Sequence, residues 1–264
     1  SLVQVGGHYF SKVLDLEEHL YRNHLLKYNL RFYWKNSEAT SSHFENYSQS
    51  YIRPFSNVCS YQLDRNVLEG HLLELNRAEA GVTVCHPARA LKVDLSDEGL
   101  HSVRFKHEGQ QVQVEADWVV DTTGRGQYLK KKGKLDQESP IYHGSSWCWV
   151  EGLVDIEKLT DQPLQKIRVK SDRRQQGWIP LWLATNHFMG EGFWFWVIPL
   201  QGLTSLGLVY DKRLIDDESV ATPEKLVEWA CREFPLFQRD LPKRKIVDGA
   251  RFLTYSYDSR QTIS

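Results

Sequence analysis

Four short stretches of this 264-residue chain hold residues whose types and spacing could do chemistry. Trp118-Val119-Val120-Asp121-Thr122-Thr123-Gly124-Arg125 runs apolar and then ends in a short acid, two hydroxyls and a glycine. A strand that opens into a glycine turn lets backbone approach a ligand closely, typically a nucleotide. A core strand followed by an ordinary turn has the same look. Tyr61-Gln62-Leu63-Asp64-Arg65 opens a helix and puts Arg65 in its first turn. The helix dipole does not favour a cation there. Arg65 therefore either pairs with Asp64 or Glu69 or serves an anionic ligand such as a pyrophosphate. In Phe193-Trp194-Phe195-Trp196-Val197-Ile198-Pro199-Leu200 no polar residue alternates, so both strand faces must be buried or ligand-facing. Phe193, Phe195 and Val197 share one face; Trp194, Trp196 and Ile198 share the other. Periodicity alone reads these as stacked core aromatics. Lys27, between Leu26 and Tyr28, stands where a helical segment gives way to an alternating one, a place that suits a solvated cation at a helix C-terminus.

The elements that must position these stretches follow from periodicity and punctuation. Residues 3 to 25 read as two helices, with Asp15 and Glu18 spaced as a capping box between them. Tyr28, Leu30, Phe32 and Trp34 then alternate with Asn29, Arg31, Tyr33 and Lys35, the pattern of a half-buried strand. A long polar loop spans 36–60, and a helix capped by Asp64 runs to Gly81. Short strands are expected at 82–85, 89–95, 101–107, 110–115 and 117–123, and a polar boundary at 130–140. Beyond it, strands are expected at 142–154, 164–170, 178–188, 193–200, 203–210 and 246–257. One helix intervenes, with Thr222 as N-cap and Pro223 at its first position. The fold class is α/β (α+β): a mixed α/β domain over 1–135 and an antiparallel-sheet domain with helical cover over 141–264.

Composition narrows the function classes. With 33 Lys and Arg against 34 Asp and Glu, the formal charge of -1 argues against non-specific nucleic-acid or membrane binding. The basic runs at 130–134, 173–174 and 243–245 carry no interleaved aromatics and read as solvated loops. No apolar stretch reaches the ~20 residues of a membrane span. Cys59, Cys85, Cys148 and Cys231 form no C-x-x-C pair and read as reduced thiols of a cytoplasmic protein, Cys85 as a buried one. The ten histidines lack metal-ligand spacing, so no metal is expected. Six of nine tryptophans (Trp147, Trp149, Trp178, Trp182, Trp194 and Trp196) fall between 147 and 196, a concentration that suits either a core or the wall of a site for a flat ligand.

In this order, the four stretches resemble the flavin-dependent halogenases, within the FAD-dependent monooxygenases, over nearly the whole chain. The most specific element is W-x-W-x-I-P, complete as Trp194, Trp196, Ile198 and Pro199. Lys27-Tyr28-Asn29-Leu30-Arg31-Phe32 fits the family's K-x-x-hydrophobic-basic-F pattern, which makes Lys27 the match to its catalytic lysine. Tyr61 to Arg65 looks like a segment that contacts FAD, implicating Gln62 and Arg65. Asp121 to Gly124 resembles its D-x-[TS]-G element, implicating Thr123 and Gly124. Ala90 matches a backbone contact to adenine. The resemblance implies FAD, reduced by a flavin reductase, and chloride or bromide as further reactant. In that scheme a flavin hydroperoxide converts halide to hypohalous acid, and Lys27 presents the halogen to a small electron-rich aromatic substrate, free or carrier-bound. Partial burial would lower the lysine pKa and raise its nucleophilic neutral fraction. Trp194 and Trp196 would form a wall between flavin and substrate that limits loss of the reactive species to water.

The family's G-x-G-x-x-G loop and its G-D-A segment are absent, and the chain starts at Ser1 with its one methionine at 189. It therefore reads as the central piece of a longer flavoprotein, and the piece alone as inactive. Two other readings stand beside the halogenase: a flavin monooxygenase or oxidoreductase that does not halogenate, and a flavin-free binding fragment.

Overall fold

A computed structural model describes residues 2–36, 41–51, 59–137, 139–163, 166, 180–253 and 258–259. Trp178, the basic pair at 173–174 and the strand expected at 164–170 lie outside the described residues, apart from Lys166. The chain divides into two compact units, one of residues 1–68 with 141–256 and one of 69–140 with 257–264. This division differs from a linear split near 135–141, because strands from both ends of the chain share one sheet.

The first unit opens with α1 (Gln4–His8), which continues as a wider π turn over Tyr9–Val13, and α2 (Glu17–Asn23). The capping box does not form: Leu16 holds the cap position without a side-chain bond, and Asp15 has φ 53°. Burial of Leu16 settles the turn there instead, and Glu18 pairs with Arg22 one helical turn on at 2.6 Å. Then come β1 (Leu25–Leu26), β2 (Leu30–Lys35), β3 (Tyr47–Tyr51) and β4 (Tyr61–Gln62). After the second unit the chain returns as β5 (His143–Glu151), β6 (Thr185–Gly190), β7 (Phe193–Pro199), β8 (Leu203–Asp211), α3 (Pro223–Glu233) and β9 (Ile246–Phe252).

Seven of these strands form one sheet in the order β9-β5-β8-β7-β6-β2-β3. All its pairings are antiparallel except β6 with β2, which run parallel from Thr185 beside Leu30 to Met189 beside Trp34. Parallel neighbours need a long crossover, and here it is the whole stretch between residues 35 and 185. The antiparallel sheet expected of 141–264 is thus completed by two strands from before residue 52.

The sheet has two unlike faces. Tyr33, Phe188, Phe195, Leu208 and Cys148 point to the core, which is closed by Leu226, Trp229 and Ala230 of α3 with Phe234 and Phe237 beyond it. Phe188 lies at the centre, with ring centroids 4.8 Å from Tyr33, 4.9 Å from Phe237 and 5.3 Å from Phe234. Thr222 caps α3 as expected, its hydroxyl accepting the Lys225 N–H at 3.3 Å. On β2 the burial is the reverse of what alternation suggested. Arg31 and Tyr33 are buried, whereas Phe32 is half-buried and Trp34 is 41% exposed. A tyrosine serves as core when its hydroxyl finds a partner, and Tyr33 donates to Asn186 Oδ1 at 3.0 Å.

A helix (Arg65–Ala78) runs from the first unit into the second. Asp64 caps it, accepting the Asn66 N–H at 2.9 Å. The second unit is built on a three-stranded antiparallel sheet of Ala88–Asp94, His101–His107 and Gln110–Ala116. Its second hairpin turns at Glu108 and Gly109, with φ 51° and 81°, the paired left-handed geometry that matches strand twist. The strands expected at 82–85 and 117–123 do not form. Neither segment has a ladder partner among the described residues, and Trp118 and Val120 are 76% and 80% exposed. All four cysteines are free, with Cys85 half-buried rather than buried.

The two faces predict opposite sensitivities. Phe188→Ala should cost about 3–5 kcal/mol in urea unfolding, and Trp34→Ala about 1 kcal/mol. Equal losses would contradict this assignment of the faces.

Candidate functional site

On the face turned away from α3, cross-strand register lines up a row of residues: Phe32, His187, Trp196, Gly207, Trp147 and Ala250. The next row contains Trp34, Met189, Trp194, Val209 and Ser145. The Phe32 and His187 rings stack with centroids 5.4 Å apart, and Trp147 and Trp149 lie 5.6 Å apart. All these aromatic residues except Trp34 are half-buried, so the face is a wall of π surface that keeps partial access.

Gly207 shapes that wall. A Cβ built there would lie 2.1 Å from Trp196 Cζ2, so the indole lies flat across β8 only because glycine leaves the space. The indole Nε1–H donates to Ser205 Oγ at 3.2 Å, which fixes its direction. Trp194 packs its edge against His143, centroids 6.2 Å apart.

Lys27 sits in the link from β1 to β2, and backbone bonds hold this link on both sides. Lys27 N–H donates to Ser60 O at 2.8 Å, Tyr28 N–H to Leu183 O at 3.1 Å, and Thr185 N–H to Asn29 O at 3.1 Å. The Lys27 ammonium donates to Leu2 O at 2.8 Å, an oxygen also bonded by the Ser60 hydroxyl at 2.7 Å. Burial disfavours the charged form and lowers the Lys27 pKa. The pKa of His187 is lowered too. Burial first, and then the charge of Lys27, push it down to about 4.

Beneath the face, a buried polar network fixes the 181–185 turn that carries these bonds. Asn186 accepts from Tyr33 and donates to Leu181 O and Ala184 O, both at 3.1 Å. The buried Glu157 carboxylate accepts the Leu181 N–H at 3.0 Å. Gln62 is buried, donating to Leu183 O at 3.3 Å and accepting from the Thr185 hydroxyl at 3.1 Å. Its amide is thus engaged inside the protein, on the turn that supports Lys27.

The catalytic and cofactor-binding candidates read from the sequence fall into two groups. Lys27, Trp194, Trp196, Gln62 and Arg65 lie in the first unit; Ala90, Thr123 and Gly124 lie in the second. Arg65 opens its helix and is exposed, with its cation in the first turn. Ala90 occupies a bulge of its strand with φ 54°, where the ladder slips between Arg89 and Lys92. Asp121 accepts the Thr123 N–H at 2.9 Å, the Thr123 hydroxyl at 2.6 Å and the Leu129 N–H at 2.7 Å. These bonds, the Thr123 hydroxyl foremost, hold its carboxyl below the usual range. Gly124 follows with φ 55° and open space where a Cβ would stand. Within the second unit, the bulge at Ala90 and the glycine turn at Gly124 are places where backbone can approach a ligand closely. Among the described residues no group of His, Cys, Asp and Glu is placed to hold a metal, and no helix is long and apolar enough to cross a membrane.

His187, Asn186 and Gly207 were not legible as site residues. The available signal was parity: in Asn186-His187-Phe188-Met189, His187 shares a face with Met189, and Asn186 with Phe188.

Two measurements test this geometry. Gly207→Val should destabilise the protein by about 1–3 kcal/mol and shift the Trp196 fluorescence, because the indole must leave its bed. The pKa of His187 falls from about 6.5 unfolded to about 4 folded, so the unfolded chain binds the extra proton between those values. The His187 contribution to stability should therefore fall as pH drops through that window, by up to about 3 kcal/mol, and level off below it. In His187→Phe this part of the acid limb should be missing; an unchanged limb would refute the shift.

No family model matches the chain. Over its full length it is 23% identical to flavin-dependent halogenase chlA of Dictyostelium discoideum, aligned over 287 residues that make up 45% of that protein. The solved structure of halogenase PltM in complex with phloroglucinol and FAD superposes with a TM-score of 0.74 at 17% identity, covering 98% of this chain and 53% of that one. A flavoprotein/dehydrogenase from Cytophaga hutchinsonii superposes with a TM-score of 0.72 at 16% identity, covering 99% and 58%. The chain thus has the fold of the flavin-dependent halogenases and of related flavoproteins, and spans about half of their length.

Proposed function

We propose that this chain is the central part of a flavin-dependent halogenase acting on a small electron-rich aromatic substrate. The observation that carries the proposal is a half-buried lysine, Lys27, fixed beside the strand that pairs with the tryptophan hairpin, in a chain that aligns end to end with a halogenase. FAD, reduced by a flavin reductase, would activate dioxygen, and dioxygen would supply the oxidising equivalent that turns chloride or bromide into hypohalous acid. Arg65, Ala90, Thr123 and Gly124 would hold the FAD, with Gln62 supporting the turn behind Lys27, so the flavin contacts fall before residue 135 and the aromatic wall chiefly after 141.

This chain's own residues do three things in that scheme. Lys27 offers hydrogen-bond donors when charged and a nucleophile when neutral, and its burial increases the neutral fraction. Trp194 and Trp196, bedded on Gly207, give a flat surface against which an aromatic ring packs. The same surface keeps water from a reactive halogen species on its way to the substrate.

The likeness to a flavoprotein/dehydrogenase supports a second reading, a flavin oxidoreductase or monooxygenase that does not halogenate. One experiment separates the two: the full-length protein with reduced FAD, bromide and a panel of phenols and indoles, read by mass spectrometry. The proposal expects bromide in the product, a drop of roughly 100-fold or more in Lys27→Ala, and an unchanged flavin absorbance on the purified variant. Oxygen addition without bromide would replace the halogenase with the hydroxylase.

A further inference from the structure

His187 is the titratable member of the row that otherwise consists of Phe32, Trp196, Gly207, Trp147 and Ala250. Its ring is held from one side by the stack on Phe32 and lies across the strand from Trp196. Nδ1 is enclosed and meets no hydrogen-bond partner among the described residues, whereas Nε2 is not among the atoms that are both enclosed and unpartnered. The residue as a whole is half-buried, on the wall face.

The position of the proton follows from that asymmetry. An enclosed N–H without an acceptor is rarer in proteins than an acceptor left short of a donor. The lower-cost tautomer therefore keeps the lone pair on Nδ1 and the proton on Nε2. Burial and the charge of Lys27 both oppose protonation of the ring, so it stays neutral at pH 7. A neutral Nε2–H is then a fixed donor at the edge of a flat aromatic surface, with the Lys27 ammonium close enough for its charge to be felt. An aromatic ring packed on the wall with an oxygen acceptor at its rim satisfies the donor; a ring without one leaves it unmet when water is displaced.

We propose that His187 is a specificity-determining residue, whose Nε2–H binds an acceptor oxygen on the aromatic ligand that packs against Trp196. The assignment rests on the reading of the wall as the substrate surface.

The test uses the full-length protein and three probes of similar shape: 2-acetylnaphthalene and 2-methoxynaphthalene, which carry acceptor oxygens, and 2-methylnaphthalene, which does not. Dissociation constants come from quenching of tryptophan fluorescence. Wild type should bind 2-acetylnaphthalene about tenfold more tightly than 2-methylnaphthalene, the size of one net hydrogen bond, with 2-methoxynaphthalene between them. His187→Phe, which keeps a ring to stack on Phe32, should lose that gap without weakening 2-methylnaphthalene. His187→Gln, which keeps an N–H donor, should retain it at least in part. In protein labelled with 15N-histidine, Nδ1 of His187 should show the unprotonated signal at pH 7, and Nε2 should shift with 2-acetylnaphthalene alone of the acetyl and methyl probes.

A gap that survives in His187→Phe, equal binding of all probes to wild type, no binding of any, or a proton on Nδ1 would each overturn the proposal. A gap seen in a protein that adds no bromide would leave His187 its role and defeat only the halogenase reading.

Discussion

The parallel pairing of Leu30–Trp34 with Thr185–Met189 is the contact on which the site depends. It joins residues about 155 positions apart in the chain, and its register sets Phe32 against His187 and Trp34 beside Met189. One step of slip would move Tyr33 off Asn186 and turn Phe32 away from His187, because strand side chains alternate with period two. The register is held from both sides of the sheet. Above, Phe32 stacks on His187; below, Tyr33 donates to Asn186, which also ties down the carbonyls of Leu181 and Ala184. A buried amide with its bonds met locks a geometry, whereas one left open costs about 1–3 kcal/mol. That difference favours one register over its neighbours.

Two faces of one sheet then divide the labour. The core face is filled with aliphatic and aromatic side chains and closed by α3, and it provides most of the stability of the unit. The opposite face uses aromatic residues too, yet leaves them half-buried. The protein thus keeps π surface available where a ligand can replace water, and Gly207 gives Trp196 the room to lie flat. Lys27 is held at the edge of this arrangement by its neighbours' backbone rather than by a charge partner. Its ammonium meets a carbonyl, and burial lowers its pKa with no acid among the described residues shown to raise it again.

The nucleotide-type residues show the limit of reading motifs one at a time. Asp121, Thr123 and Leu129 form a closed turn that explains the acid and hydroxyl at those positions without any ligand. Gln62 likewise serves the protein interior first. Arg65 is exposed, Ala90 lies in a strand bulge, and Gly124 has open space where a Cβ would stand.

Two helix caps and a hairpin turn were legible in the sequence because they depend on residues within one turn of each other, whereas the capping box expected of Asp15 and Glu18 gave way to the burial of Leu16. Asp64 and Thr222 cap their helices by local hydrogen bonds, and Glu108 with Gly109 turns a hairpin by local φ preferences. The two faces of β7 were equally legible, since parity is a property of a single strand. Burial on β2 was not, because whether Phe32 or Tyr33 faces the core depends on a partner 153 residues away that can accept the tyrosine hydroxyl. Nor did the sequence mark His187, whose pKa is lowered by burial and by a lysine from another segment. Short-range chemistry thus determined the elements and the residues able to react. Long-range pairing decided which of them meet, because contacts between distant segments carry no signature in either segment alone.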